Sequence, residues 1–422
     1  MTFHRMHPAD QIVTIMNRIY ENCLTTTTGG NISVMDGHGD IWITPSGVDK
    51  GSLTRRDICQ VKPNGTVVGL HKPSMELPFH ASVFKKRPDI KAVLHAHPPM
   101  MVAFSVVRQL PELRMVANIH EICGNISIAA YATPGSAKLG EIISAEFEKG
   151  FDIIMLENHG IVAGGCNVFE CFKKFETLET AAKIHINASK LGTTKTTTSH
   201  EPALPATYEL KDFTKTNHST EECDARCEII SLIKRSYRQG LFGSTHGVFS
   251  VKLTDGSFLI TPHCTDRAYL TEDDLVHIKG GMKEHGKIPS RSARLHMLIY
   301  EKNPGAGAIV AAAPPGAMAF AVTDTVFDPR TIPESYMVLR DIKKVGFSDL
   351  GKVAEMFSAR TPVLICENTQ IIATGQSPIN AFDRLEVCEA TAKAIIAAKD
   401  IGAMVHMSES AIRNIDLAFN LE

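Results

Sequence analysis

Residues 93–99 read VLHAHPP and residues 309–315 read IVAAAPP. The two segments lie 216 positions apart and share an apolar run, a central alanine and a proline pair, but two histidines of the first are alanines in the second. Further matches follow in order on either side. WITPSGVDKGSLT (42–54) pairs with LITPHCTDRAYLT (259–271), KPSMELPFH (72–80) with IPSRSARLH (288–296), MLENHGIVAGG (155–165) with ICENTQIIATG (365–375), and FETLETAAK (175–183) with RLEVCEATAK (384–393). The offset stays near 210–217, which marks a tandem duplication. A chain of 422 residues is too long for one ordinary core, and two domains suit it. Between the copies, GTTKTTTSHEPALPATYELKDFTKTNHSTEE (192–222) is polar and Thr-rich with no sustained apolar period, so it reads as a linker with part of it packed on a domain. The expected division is 1–191, 192–222 and 223–422.

Within the first copy, apolar periodicity predicts an amphipathic first helix with Ile12, Ile15, Met16 and Ile19 on one face. Strands follow at Val34 and at Ile41 to Thr44, joined by the DGHGD turn, and ELPFHASVFKKRP is a helix. KAVLHAHPP is a β-rich segment stopped by Pro98, and PGSAKLGEIISAEFEKG is a helix. DIIMLENHGIVAGG forms two short strands pinched around Asn158, His159 and Gly160. Short antiparallel-looking strands with interspersed helices predict a layered α/β domain rather than a regular βαβ wind.

Composition removes several classes of function. Lys plus Arg number 44 against 46 for Asp plus Glu, so there is no basic field to collect phosphate backbones, and nucleic acid is not an expected partner. The most apolar stretch, AGAIVAAAPPGAMAFAV, is broken by Pro314 and Pro315 and is too short to span a bilayer, so no membrane association is expected. Ten cysteines without regular pairing fit a reducing cytoplasm. Cys223 and Cys227, at i, i+4, are expected on a half-buried helix face, since no second pair completes a zinc site.

The chemistry concentrates around the two histidines. On a strand, residues i and i+2 face the same side, so His95 and His97 can offer both imidazoles to one ion. His159 sits in a tight turn between apolar strands, and Glu76 begins the helix that leads into the His95 strand. Three imidazoles with an adjacent carboxylate are the donor set of a catalytic zinc-type site that keeps one position for substrate. The second copy has Ala311, Ala313, Thr369 and Ser292 at these four places, while Pro73, Ser74, His80, Pro98, Pro99, Glu157, Asn158, Glu176 and Glu179 keep identical counterparts. Joint loss points to a common role. The retained His80 and the glutamates at 157, 176 and 179 are expected to serve the fold.

Small polar and glycine-rich positions gather in GGNIS (29–33), TPSG (44–47) and Pro73–Ser74. Backbone N–H groups there, with the side chains of Asn31, Ser46 and Ser74, can cradle a phosphate or carboxylate without a P-loop lysine. The same residues also suit ordinary tight turns.

Taken together, GGNIS, ITPSG, KPSMELPFHASVFKKRPDIKAVLHAHPP and ENHG resemble the class II aldolase/adducin family, with four motifs in order over residues 10–190. Residues 223–405 resemble it more weakly and lack its metal motif. The resemblance implies a three-layer α/β/α domain with a largely antiparallel central sheet, present twice. It implies Zn2+, or another divalent transition metal, on His95, His97 and His159, with Glu76 as acid/base. It implies a phosphate pocket at Gly30, Asn31, Ser46, Gly47 and Ser74. Two positions depart from the fuculose-phosphate aldolases, which have a second serine in place of Met75 and a catalytic tyrosine that falls on Glu121. The implied reaction is lyase chemistry on a small phosphorylated sugar or sugar acid through an enediolate, with retro-aldol cleavage of a ketose 1-phosphate leading. Decarboxylation or dehydration of a related sugar-acid phosphate comes next. A non-catalytic, adducin-like assembly module is the reading from another class, and it suits the second copy better than the first. The resembling aldolases form rings of four, so a homo-oligomer is expected, in which two fused chains build a pseudo-four-fold ring.

Overall fold

The computed structural model describes residues 5–197, 210–215 and 217–421. Of the linker expected at 192–222, residues 198–209 and 216 lie outside the described residues. The chain divides into two compact units, residues 1–113 with 119–182, and residues 114–118 with 183–422.

Over residues 5–191 the order is α1 (Pro8–Glu21), β1 (Asn31–Met35), β2 (Ile41–Ile43), β3 (Cys59–Val61), β4 (Val67–Val68), α2 (Leu77–Lys86), β5 (Ala92–Ala96), α3 (Pro99–Val107), α4 (Ala117–Cys123), β6 (Ile126–Ala129), α5 (Ala137–Glu148), β7 (Ile153–Leu156), β8 (Ile161–Gly165) and α6 (Val168–Leu191). The eight strands form one sheet in the order β4-β3-β2-β1-β5-β8-β7-β6, which puts β5 near its centre. The sheet is mixed, with β6 and β7 running parallel at one edge. The crossover through α5 joins β6 to β7, and a strand–helix–strand connection returns the chain in the same direction. On one face α2 and α5 bury Phe79, Val83, Phe84, Leu139, Ile143 and Phe147 against Val93, Ile154 and Val162. The opposite face carries α1, whose Ile12, Ile15, Met16 and Ile19 are buried as their spacing predicts, and α6, whose Cys171 thiol donates to the Ala92 carbonyl at 3.2 Å. The unit is therefore three layers deep.

The second unit contains β9 (Asp212–Phe213), α7 (Thr220–Arg238), β10 (Val248–Lys252), β11 (Phe258–Ile260), β12 (Val276–Lys279), β13 (Met282–Glu284), α8 (Ala293–Lys302), β14 (Ala308–Ala312), α9 (Pro315–Ala321), α10 (Pro333–Leu339), β15 (Lys343–Val345), α11 (Leu350–Glu355), β16 (Val363–Cys366), β17 (Gln370–Gly375), α12 (Pro378–Ala398) and α13 (Glu409–Phe419). Its nine-stranded sheet is also mixed, with parallel pairs β15·β16 and β13·β9. Here α8 and α11 take the places of α2 and α5, burying Leu295, Ile299, Val353 and Ala354 against Ile309, Ala311, Leu364 and Ile372. The helix α7 starts at Thr220, because the Ser219 hydroxyl accepts the Glu222 N–H and Glu221 and Glu222 favour the positive helix end. Cys223 and Cys227 are exposed rather than half-buried, since α7 turns Ala225, Ile229 and Ile233 inward instead.

Both copies keep one device after the proline pair. Glu179 accepts the N–H groups of Met100 and Met101 at the start of α3 (3.2 and 3.1 Å), and Glu389 accepts those of Gly316 and Ala317 at the start of α9 (3.0 and 2.8 Å). Proline suits the first turn of a helix, and a carboxylate satisfies the exposed donors. This explains why the prolines survive where the histidines do not. No helix among the described residues is long and apolar enough to cross a membrane.

Candidate active site

The central strand β5 carries His95, which faces the α2 layer together with Val93. His97 lies just beyond the strand end, ahead of Pro98, and His159 lies in the turn between β7 and β8. That turn needs Asn158 at φ +56°, and its counterpart Asn368 adopts +52°, so the turn is a property of both copies while the residue after it is free to change. The ligating atoms of His95, His97 and His159 all lie within 4.8 Å of one another.

Two close approaches bring these rings together. Gly160 lies so near β5 that a Cβ there would meet the Ala96 carbonyl oxygen at 2.5 Å and His97 Cδ2 at 2.7 Å. Gly30 adopts φ +72°, and a Cβ on it would stand 2.8 Å from the His95 carbonyl oxygen. In sequence Gly30 belongs to a loop suited to an anion. Its position against the His95 backbone is a packing requirement in its own right.

His95 is 1% exposed, and its Nδ1 donates to the Ile161 carbonyl at 2.9 Å. A carbonyl only accepts, so Nδ1 carries the proton and Nε2 presents its lone pair. That lone pair stands 3.1 Å from Nε2 of His97. Burial, followed by the neighbouring His97, lowers the His95 pKa to about 3, and burial also lowers that of His97. His159 falls to about 4, chiefly through burial and then through His95. All three rings are neutral at neutral pH, the state in which imidazole binds a metal. In a tetrahedral site with Zn–N bonds of about 2.0–2.1 Å, ligand nitrogens stand about 3.4 Å apart. The donor set and its spacing therefore fit a divalent ion, which His95, His97 and His159 could hold.

Glu76 occupies the N-cap position of α2, is 5% exposed, and brings Oε2 to 3.4 Å from His95 Nε2. Asn31 lies directly opposite His95 in the β1·β5 register, so both side chains share one face. Its Nδ2 donates to Glu76 Oε2 at 2.7 Å, and its Oδ1 contacts His80 Nε2 at 2.5 Å. His80, fully buried, places Nδ1 2.6 Å from the Ser33 hydroxyl. This chain from Ser33 to Glu76 was missed from sequence. The available signal was that Ser33 and His80 both recur in the second copy, as Ser250 and His296.

The expected anion pocket is only partly open. The bridge between Pro45 and Pro73 brings 44–47 beside 72–74, but it uses the Ser46 N–H on the Lys72 carbonyl and the Ser74 N–H on the Thr44 carbonyl, both at 3.0 Å. Neither N–H is left for an anion. The Ser74 hydroxyl accepts the Glu76 N–H at 3.2 Å, and the amide of Asn31 is engaged as above. Ser46 and Gly47 are exposed, with open space before Gly47. Met75 is 65% exposed, and Glu121 is exposed on α4, outside the imidazole cluster.

The family match covers both copies. The model of the family "Class II Aldolase and Adducin N-terminal domain" matches residues 10–186 and 227–396. The chain is 34% identical over 180 residues to an L-fuculose phosphate aldolase of Methanococcus maripaludis, covering 42% of this chain and 94% of that protein. It is 32% identical over 211 residues to a 5-deoxy-D-ribulose 1-phosphate aldolase of Bacillus thuringiensis (49% and 93%). To a 3-oxo-tetronate 4-phosphate decarboxylase of Haemophilus influenzae it is 29% identical over 177 residues (41% and 84%). A solved L-fuculose 1-phosphate aldolase superposes with a TM-score of 0.41 at 32% identity, covering 44% of this chain and 88% of that one. With both matched segments together spanning most of its length, the chain belongs to the class II aldolase and adducin family and carries the family's domain twice.

Proposed function

We propose that the chain is a metal-dependent lyase acting on a small phosphorylated sugar or sugar acid, with retro-aldol cleavage of a ketose 1-phosphate as its reaction. Catalysis is assigned to residues 1–191, joined through 192–222 to a copy at 223–422 without metal ligands. The observation that carries this reading is the convergence of three neutral imidazoles beside the buried carboxylate of Glu76. His95, His97 and His159 would hold the ion, which when bound supplies electrophilic stabilisation of an enediolate. As the C–C bond breaks, Glu76 takes up the proton released by the hydroxyl on the departing carbon and returns it to the carbon left as enediolate, and its burial keeps water from competing. Glu121, exposed on α4, is assigned as a second carboxylate for proton transfer. Gly30, Asn31, Ser46, Gly47 and Ser74 are assigned to substrate binding, with Ser46 and Gly47, both exposed, as the contacts for a phosphate.

A relative named for decarboxylation of a 3-oxo-tetronate 4-phosphate supports a second reading, in which the same carbanion chemistry releases carbon dioxide. Assembly as a homo-oligomer, two chains completing a pseudo-four-fold ring in the cytoplasm, belongs to the same proposal.

The test is a screen of the metal-replete chain against ketose 1-phosphates and 3-oxo sugar-acid phosphates, following dihydroxyacetone phosphate and carbon dioxide. Release of the first supports the aldolase reading, and release of the second alone replaces it with decarboxylation. Release of neither overturns both. Deleting residues 205–422 is expected to weaken activity or alter assembly, and a fully active 1–204 fragment with the same assembly per domain contradicts the ring.

A further inference from the structure

We infer that Asn31, held in orientation by His80, is a positioning residue for Glu76; this deepens the lyase reading and rests on it.

In its proton-accepting form Glu76 offers only acceptor oxygens, so the atom of Asn31 facing Oε2 at 2.7 Å must be the amide Nδ2. That leaves Oδ1 towards His80, which must then donate from Nε2. His80 Nδ1, left with its lone pair, accepts the Ser33 hydroxyl. Every donor in the chain points towards the carboxylate, an arrangement in which each bond polarises the next. With Ser33, Asn31, His80 and Glu76 all buried, no water competes for these bonds.

The second copy separates framework from function. The β10·β14 register places Val248 opposite Ala311, as β1·β5 places Asn31 opposite His95, so Val248 stands where Asn31 does. Ser250 still meets His296 Nδ1 at 2.7 Å, matching Ser33 and His80. The link beyond is gone, because Ser292 replaces Glu76 and His296 Nε2 is buried without a hydrogen-bond partner among the described residues. An orphaned buried nitrogen is costly, and it marks where an asparagine amide would stand. The serine–histidine pair is what the fold needs. The amide is present where there is a carboxylate to aim, and absent where there is none.

The experiment uses the full-length, metal-replete chain with Asn31→Leu, His80→Leu and His80→Gln. Leucine keeps the branched outline of Asn31 without the amide, and the Gln Nε2 can donate where the ring Nε2 did. Asn31→Leu is expected to lower kcat about 10²-fold, the scale of a misplaced catalytic group, with ion content little changed. His80→Gln should recover most of the kcat lost in His80→Leu. An unchanged kcat in Asn31→Leu, or a His80→Gln no better than His80→Leu, overturns the assignment. An arm independent of turnover uses 15N-labelled histidine in NMR. His80 should be the Nε2–H tautomer, with that proton shifting upfield in Asn31→Leu, and an Nδ1–H tautomer or an unmoved resonance overturns the network. If no substrate turns over while this signature is found, the lyase reading fails and the hydrogen-bond chain stands.

Discussion

His95 Nε2 and His97 Nε2 stand 3.1 Å apart with the His95 proton drawn to the opposite side of its ring by the Ile161 carbonyl. One strand end thus presents two lone-pair donors to a single point, and the turn carrying His159 closes over them.

Glu76→Gln removes the proton acceptor but keeps the side chain's volume. Turnover is expected to fall about 10²–10⁴-fold, the usual contribution of general acid–base catalysis, with the bound ion retained by the imidazoles. Steady-state kinetics alongside elemental analysis check this, and either wild-type turnover or loss of the ion removes Glu76 from the assigned role.

Gly160→Ala drives a methyl group into the Ala96 carbonyl and the His97 ring. Overpacking of this kind costs about 1–3 kcal/mol, and here it also displaces a donor ring. A lower Tm and weaker metal binding are expected together. Gly37→Ala, where nothing lies within 4 Å, is the control and should change neither. Unaltered metal affinity in Gly160→Ala would show that the turn does not need its close approach to β5.

His296 tests the cost of the orphaned ring without interference from a metal. Burial lowers its pKa to about 3, against 6.5 for an exposed histidine. Between these values the unfolded chain binds a proton that the folded chain does not, so stability is lost as pH falls below about 6.5. From pH 6.5 to 5 this one group removes about 2 kcal/mol. His296→Leu should therefore show a shallower fall in urea unfolding midpoint over that window than the wild type. Equal slopes would mean that the ring becomes protonated without unfolding.

Much of the site was legible because strand alternation and the duplication speak about the same residues. His95, His97, His159 and Glu76 are replaced together in the second copy, and the three histidines converge as that joint loss implied. Asn31 was read differently. GGNIS spells a glycine loop, whereas Asn31 begins β1, and only the register opposite His95 turns its amide towards Glu76. The engaged N–H groups of Ser46 and Ser74 depend on an isolated two-residue bridge, which leaves no periodic trace in sequence. The layered α/β architecture followed from apolar spacing and the resemblance. The parallel edge pairs did not, because strand direction at an edge is decided by the crossover helix rather than by the strand's own residues.

A chain with two copies of the domain but one set of imidazoles should hold a single ion, which counting ions decides. Elemental analysis of the full-length chain after purification with excess zinc and removal of loosely held metal should give about one divalent ion per chain. His95→Ala should reduce this to near zero. Two ions per chain, or none in the wild-type protein, would rule out a single site on His95, His97 and His159.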